Sequence, residues 1–161
     1  MAAGPTYEPI ATATTSSNAT VVNFTSIPST YTDLVMIMNF SLSSNAEVYI
    51  NFNSDTTSGL YSRTFFEGNG STVSSSRSNN ENRINILGRS SQMTNIVNVL
   101  NYANTNVFKT LLARFSSPSE IVGAESGLWR NTNAINAINL SLSAGNFTNG
   151  SVITLYGIAA A

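Results

Sequence analysis

The chain is expected to fold as an all-β protein: an antiparallel β-sandwich, jelly-roll-like, of about ten strands. Three observations predict this. Apolar and polar residues alternate with period two through much of the sequence, the pattern of half-buried strands. Short runs of this kind are separated by Gly, Asn, Ser and Pro clusters, which form turns. No segment carries a convincing long helical pattern, and no fixed repeat of roughly 20–50 residues suggests a propeller or solenoid.

The elements follow in chain order. Residues 1–9, from Met1 through Pro5 to Pro9, read as an N-terminal arm that docks on a neighbouring subunit, or as a frayed terminus. The β-sandwich domain spans residues 10–158 and a short tail 159–161. Val21–Ser26 alternates until Pro28 stops it. Asp33–Leu42 opens on the apolar run Leu34–Met38, as a buried strand does. In Glu47–Asn53, Val48, Ile50 and Phe52 share one face, with Glu47, Tyr49, Asn51 and Asn53 on the other. Turn residues around Gly59 lead to a short strand, Arg63–Glu67. Gly68–Asn82, rich in Ser, Asn and Gly, reads as a long surface loop. Ile84–Leu87 is strand-like. Met93, Ile96, Val97 and Leu100 fit one helix face, but the β-branched content and the turn at Asn104–Asn106 favour a strand leading into Val107–Phe115. Ile121–Thr132 reads as a strand pair or a bulged strand. Ala134–Leu142 and Ser151–Ile158 flank Asn149-Gly150, a strong hairpin signal.

Composition restricts function. The 161 residues include no His, no Cys and one Lys, while 64 are Ser, Thr or Asn. Histidine is the usual general base near neutral pH, and cysteine the strongest side-chain nucleophile. Their absence favours a structural or binding protein over an enzyme and disfavours zinc. Charged residues make up 9% of the chain and net charge is −1, against about 25% charged in ordinary domains. Weak self-repulsion favours association, and the lack of basic excess argues against nucleic acid. Five apolar residues, Leu34–Met38, are too few to span a bilayer. The opening residues lack a signal-peptide pattern, so synthesis and retention in a cytoplasm are expected.

Candidate chemistry is sparse. Glycosidases need two facing carboxylates, and Glu47 with Glu67 is one pairing; the simpler reading is rim charges that keep sheet edges apart. Asn51-Phe52-Asn53-Ser54-Asp55 with Gly59 resembles an oxygen-rich calcium loop but offers a single carboxylate, and turn formation by Asn and Asp explains it more simply. Ser and Thr nucleophiles need a base or an N-terminal amine beside them; no His is available, and Lys109 sits in a strand pattern beside Phe108. Trp129-Arg130 is either an exposed sugar-stacking platform or interface anchor, or a core Trp with Arg reaching solvent. No cofactor or metal is expected. The recurring Asn-x-Ser/Thr triplets are those of a chain rich in these residues.

An ordered series of segments resembles small virion proteins of tailed bacteriophages, marine ones especially. It comprises Tyr7-Glu8-Pro9-Ile10-Ala11-Thr12, Phe24 through Val35, Ile50 through Asp55, Leu100 through Asn104, Lys109-Thr110, Gly127-Leu128-Trp129-Arg130, Ile135 through Ile138 and Leu155 through Ile158. The resemblance runs nearly end to end and implies a β-sandwich virion component, either a capsid decoration protein or a module of a tail fibre. One departure is Asn51, where the group implies an Arg. The length suits a cement protein that coats the outer shell as a homotrimer, with the major capsid protein as partner. Host cytoplasm during assembly and the capsid exterior afterwards are the expected locations. Pro5, Tyr7, Glu8, Pro9, Trp129 and Arg130 are the candidate interface residues. A glycan-binding appendage is the alternative, with Trp129 or Tyr61 as its stacking aromatics.

Overall fold

The computed structural model describes residues 6–159. Twelve strands form in it: β1 (Tyr7–Thr14), β2 (Val21–Phe24), β3 (Asp33–Phe40), β4 (Ala46–Phe52), β5 (Tyr61–Gly68), β6 (Val73–Glu81), β7 (Ile84–Gly88), β8 (Met93–Leu100), β9 (Lys109–Ser117), β10 (Ile121–Trp129), β11 (Ile138–Leu142) and β12 (Val152–Ile158). No helix occurs among the described residues. The strands make an eight-stranded sheet, β1-β12-β3-β8-β9-β10-β5-β6, and a four-stranded sheet, β2-β11-β4-β7, with antiparallel pairing throughout. The protein is therefore an all-β sandwich, with twelve strands against about ten expected.

The chain crosses between layers in a regular way. β1, β3, β8 and β12 belong to the large sheet, and their chain neighbours β2, β4, β7 and β11 to the small one. Two hairpins, β5–β6 and β9–β10, stay in the large sheet. They join each other through the β10–β5 pairing and extend that sheet beyond β8. The small sheet ends at β7, so β6 has no strand of the small sheet beside it.

The core lies between the sheets. Leu34, Met36, Met38 and Phe40 of β3 meet Val48, Ile50 and Phe52 of β4 in one buried cluster. Each such side chain contributes ~1.5–3 kcal/mol by leaving water. Phe52, Tyr61 and Trp129 pack together, with the Tyr61 and Trp129 rings stacked at 6.2 Å. Two glycines in β10 permit close approach. A Cβ at Gly123 would stand 2.5 Å from Phe115 Cζ, and one at Gly127 2.7 Å from Ile84 Cδ1. Lys109 is wholly buried, and its Nζ donates to the carbonyls of Asn104 (2.5 Å), Val107 (2.8 Å) and Thr132 (3.0 Å). Three carbonyls match the three donors of an ammonium, so Lys109 ties two loops to β9.

The structure corrects two sequence expectations. Gly68–Asn82 is no long loop: only a short turn separates β5 from the nine-residue strand β6. Backbone bonds to β5 define β6, and its Ser and Asn side chains face solvent, where no apolar pattern is required. The expected arm also ends earlier than residue 9, because Tyr7 to Pro9 already pair with β12 in β1. Met93–Leu100 is a strand as read, and Ile121–Trp129 is one strand paired on both sides.

Candidate functional site

Period two sorts the side chains of the sheet extension onto opposite faces. On the outer face, cross-strand pairing aligns Ile96, Arg114, Ala124 and Phe66 in one row. Val122, Gly68 and Val73 lie in the row on one side, and Leu112, Ser126, Thr64 and Arg77 in the row on the other. No layer covers this face. Val73 is 82% exposed, Val122 62%, Phe66 58% and Leu112 45%. Two open depressions of about 550 and 480 Å³ share Phe66, Arg114 and Ala124. No Asp or Glu occupies an outward position of β5, β6, β8, β9 or β10. Among the described residues Arg77 and Arg114 have no ion-pair partner. The face is thus apolar with a basic accent.

The inner side of the same strands is different. Arg63, Phe65 and Glu67 of β5 and Glu125 of β10 line a cavity of about 170 Å³ with Glu47, Leu87 and Phe115. Arg63 donates from Nη2 to Glu47 Oε1 at 3.2 Å and from Nη1 to the Asn85 carbonyl at 2.6 Å. Its Nη1 stands 3.5 Å from Glu125 Oε2. Asn85 Nδ2 donates to the second oxygen of Glu47 at 3.0 Å. The Arg63 guanidinium lies over the Phe65 ring, 4.9 Å from its centre. Burial dominates the ionisation of Glu125: desolvation pushes its carboxyl up to about 8, although Arg63 pulls it down.

The residues expected at an interface do not form one surface. Pro5 lies outside the described residues. Tyr7 and Pro9 are exposed and Glu8 half-buried on edge strand β1, with the Tyr7 ring edge-on to Tyr156 at 6.1 Å. Trp129 and Arg130 lie five strands away in the sheet order, roughly 24 Å at ~4.8 Å per strand. Trp129 is 1% exposed, and its indole N–H donates to Asp55 Oδ2 at 3.0 Å. Arg130 donates to the Gly59 carbonyl and Ser62 Oγ, both at 3.1 Å. Trp129 is therefore a core residue and no stacking platform, and wholly buried Tyr61 is another.

The calcium-like segment is turn chemistry. Asn53 Oδ1 accepts from the Asn136 and Ala137 amides, Asn51 Nδ2 donates to the carbonyls of Asp55 and Asn82, and Asp55 Oδ1 accepts from the Thr57 amide. Hydrogen bonding to Thr57, Trp129 and Asn131 holds the Asp55 carboxyl below the usual range against an opposing desolvation. Glu47 and Glu67, paired on paper, do line one cavity, but both Glu47 oxygens are engaged. Composition concealed Arg63, Glu125 and Phe66. Strand parity was the available signal: Glu125 alternates with Gly123, Gly127 and Trp129, the inward set of β10.

No known protein family matches this chain, and no curated protein is detectably similar to it.

Proposed function

We propose that the protein is a bacteriophage capsid decoration protein that docks through the outer face of its large sheet onto the shell's major capsid protein. One observation carries this: the uncovered face of Phe66, Val73, Leu112 and Val122 around Arg77 and Arg114. Apolar patches of several hundred Å² are uncommon on monomers and often functional. Five strands by seven residues cover roughly 24 by 24 Å, about 600 Å², close to the ~800 Å² that each partner gives to a standard interface. The missing carboxylates specify a partner surface with acidic groups among apolar ones. Association as a homotrimer multiplies a modest affinity per copy, and coating the shell stabilises it by mass action. The layer-crossing order of β1, β2, β3, β4, β7, β8, β11 and β12 supports a jelly-roll reading, a fold that recurs in capsid domains. The buried state of Trp129 and Tyr61 removes the aromatics on which the appendage alternative rested.

The test is co-sedimentation of purified protein with empty shells of the phage whose genome encodes it. Saturable binding, a raised shell melting temperature, and loss of both in Phe66→Asp and Arg114→Glu are expected. A mass in solution three times the 17.1 kDa protomer accompanies the trimer. Shells that melt unchanged with saturating protein overturn the reading.

A further inference from the structure

Four buried side-chain polar atoms lack a hydrogen-bond partner among the described residues: Arg63 Nε, Asn85 Oδ1, Asn95 Oδ1 and Glu125 Oε1. They gather at one place. Arg63 and Glu125 line the 170 Å³ cavity on the inner side of β5 and β10. Asn85 stands one hydrogen bond behind it on Glu47, and Asn95 one behind it on the Leu87 carbonyl at 3.0 Å. Native proteins rarely leave such groups unmet, and each instance asks for a water, ion or ligand. The Glu125 side chain is 1% exposed, so bulk solvent does not serve it.

The chemistry of the vacant partners selects the ligand. Three acidic side chains, of Glu47, Glu67 and Glu125, line the cavity with a single guanidinium, which disfavours an anion. A cation is disfavoured because Arg63 already lies between Glu47 and Glu125 and its free Nε–H is a donor. What remains unmet is one donor beside acceptors, and a hydroxyl group answers both. The walls are apolar, with Phe65, Leu87 and Phe115, as in sites that hold the C–H face of a small molecule.

We propose that this cavity binds one uncharged sugar ring, with Arg63 Nε–H donating to one hydroxyl and the Glu125 carboxyl hydrogen-bonding the neighbouring hydroxyl through Oε1. Phe65 and Leu87 pack against the ring's carbon face. Glu67, which accepts from Ser74 Oγ at 3.4 Å and lines the same cavity, meets the ring's remaining hydroxyls. A carboxyl kept neutral by burial agrees with an uncharged ligand. The site is on the opposite side of β5 and β10 from the proposed shell-binding face, so a shell-bound copy still presents it.

The experiment titrates the intact chain with glucose, galactose, mannose and N-acetylglucosamine, followed by nitrogen–proton NMR. At least one sugar should give saturable shifts at Arg63 Nε–H and at the amides of Phe65, Leu87 and Glu125, with millimolar Kd. Glu125→Leu should weaken binding at least about tenfold, because it leaves a hydroxyl unpaired. Leu87→Trp adds bulk to the cavity while retaining all of its polar residues and should abolish the shifts; it serves also if Glu125→Leu does not fold. Unmoved signals with all four sugars, meaning ordered water only, overturn the proposal. Binding that survives Leu87→Trp overturns it as well. Shell sedimentation reads the other face, so the two readings fail separately.

Discussion

The two sides of β5 and β10 carry opposite chemistry. Arg63, Phe65 and Glu67 on one side of β5 alternate with Thr64 and Phe66 on the other. In β10, Glu125 stands between Gly123 and Gly127 facing inward, while Val122, Ala124 and Ser126 face outward. Titratable and unmet polar groups are sequestered inside, and apolar groups are left in water outside, the reverse of the usual distribution. The inner arrangement is held by the fold and should report in stability. The outer one contributes little to folding and should report in assembly.

Removing the two arginines tests that division most strongly. Arg63→Ala strips Glu125 and Glu47 of their shared partner and leaves buried polar groups unmet, which costs about 1–3 kcal/mol. Arg114→Ala, at an exposed position without an ion pair, should stay within about 0.5 kcal/mol. Urea unfolding of both variants measures the difference. Equal losses would mean that the inner network is no more structural than the surface.

The pH dependence of stability comes next. Folding raises the Glu125 carboxyl from its ordinary 4.5 to about 8. Between those values the native state holds a proton that the unfolded chain has released, so stability falls as pH rises through the window. The stabilising contribution is complete below the unfolded value and gone above the folded one. The charged groups facing Glu125 are Arg63 and Glu47. With no His or Cys in the chain, only the terminal amine ordinarily titrates between pH 5 and 8. Unfolding midpoints should drop from pH 5 to pH 8.5, and Glu125→Gln should flatten that slope. A wild-type slope that Glu125→Gln leaves unchanged assigns the effect elsewhere.

Much of the fold was legible because alternation reports which side of a strand is buried. Val48, Ile50 and Phe52, or Ile138 and Leu140, need no further information. β6 was not legible. Its Ser74-Ser75-Ser76 and Asn79-Asn80 have low β-propensity, and it is a strand because β5 offers a free backbone edge, a fact of topology. Lys109 and Glu125 were hidden for a related reason. Burial of a charged group depends on carbonyls or a guanidinium that the fold brings from distant segments, Thr132 for Lys109 and Arg63 for Glu125. Trp129 was legible only as a choice between core and surface, and Asp55, 74 positions away, decides it. The outer face escaped notice because Phe66, Arg114 and Val122 are far apart until β9, β10 and β5 pair.

The smallest expected effect is the sharpest test of parity, since it compares adjacent residues of one type. Phe65 faces inward under the Arg63 guanidinium, and Phe66 faces outward at 58% exposure. Phe65→Thr forfeits partial burial and a cation–π contact, about 1–2 kcal/mol together. Phe66→Thr keeps β-propensity, loses little buried area and should shift stability by no more than about 0.5 kcal/mol. The order reverses in shell binding: Phe66→Thr should weaken it and Phe65→Thr should leave it intact. Paired urea melts and sedimentation runs on the two variants read both columns. If Phe66→Thr costs as much stability as Phe65→Thr, the outer ring belongs to the fold, and the docking face loses its central residue.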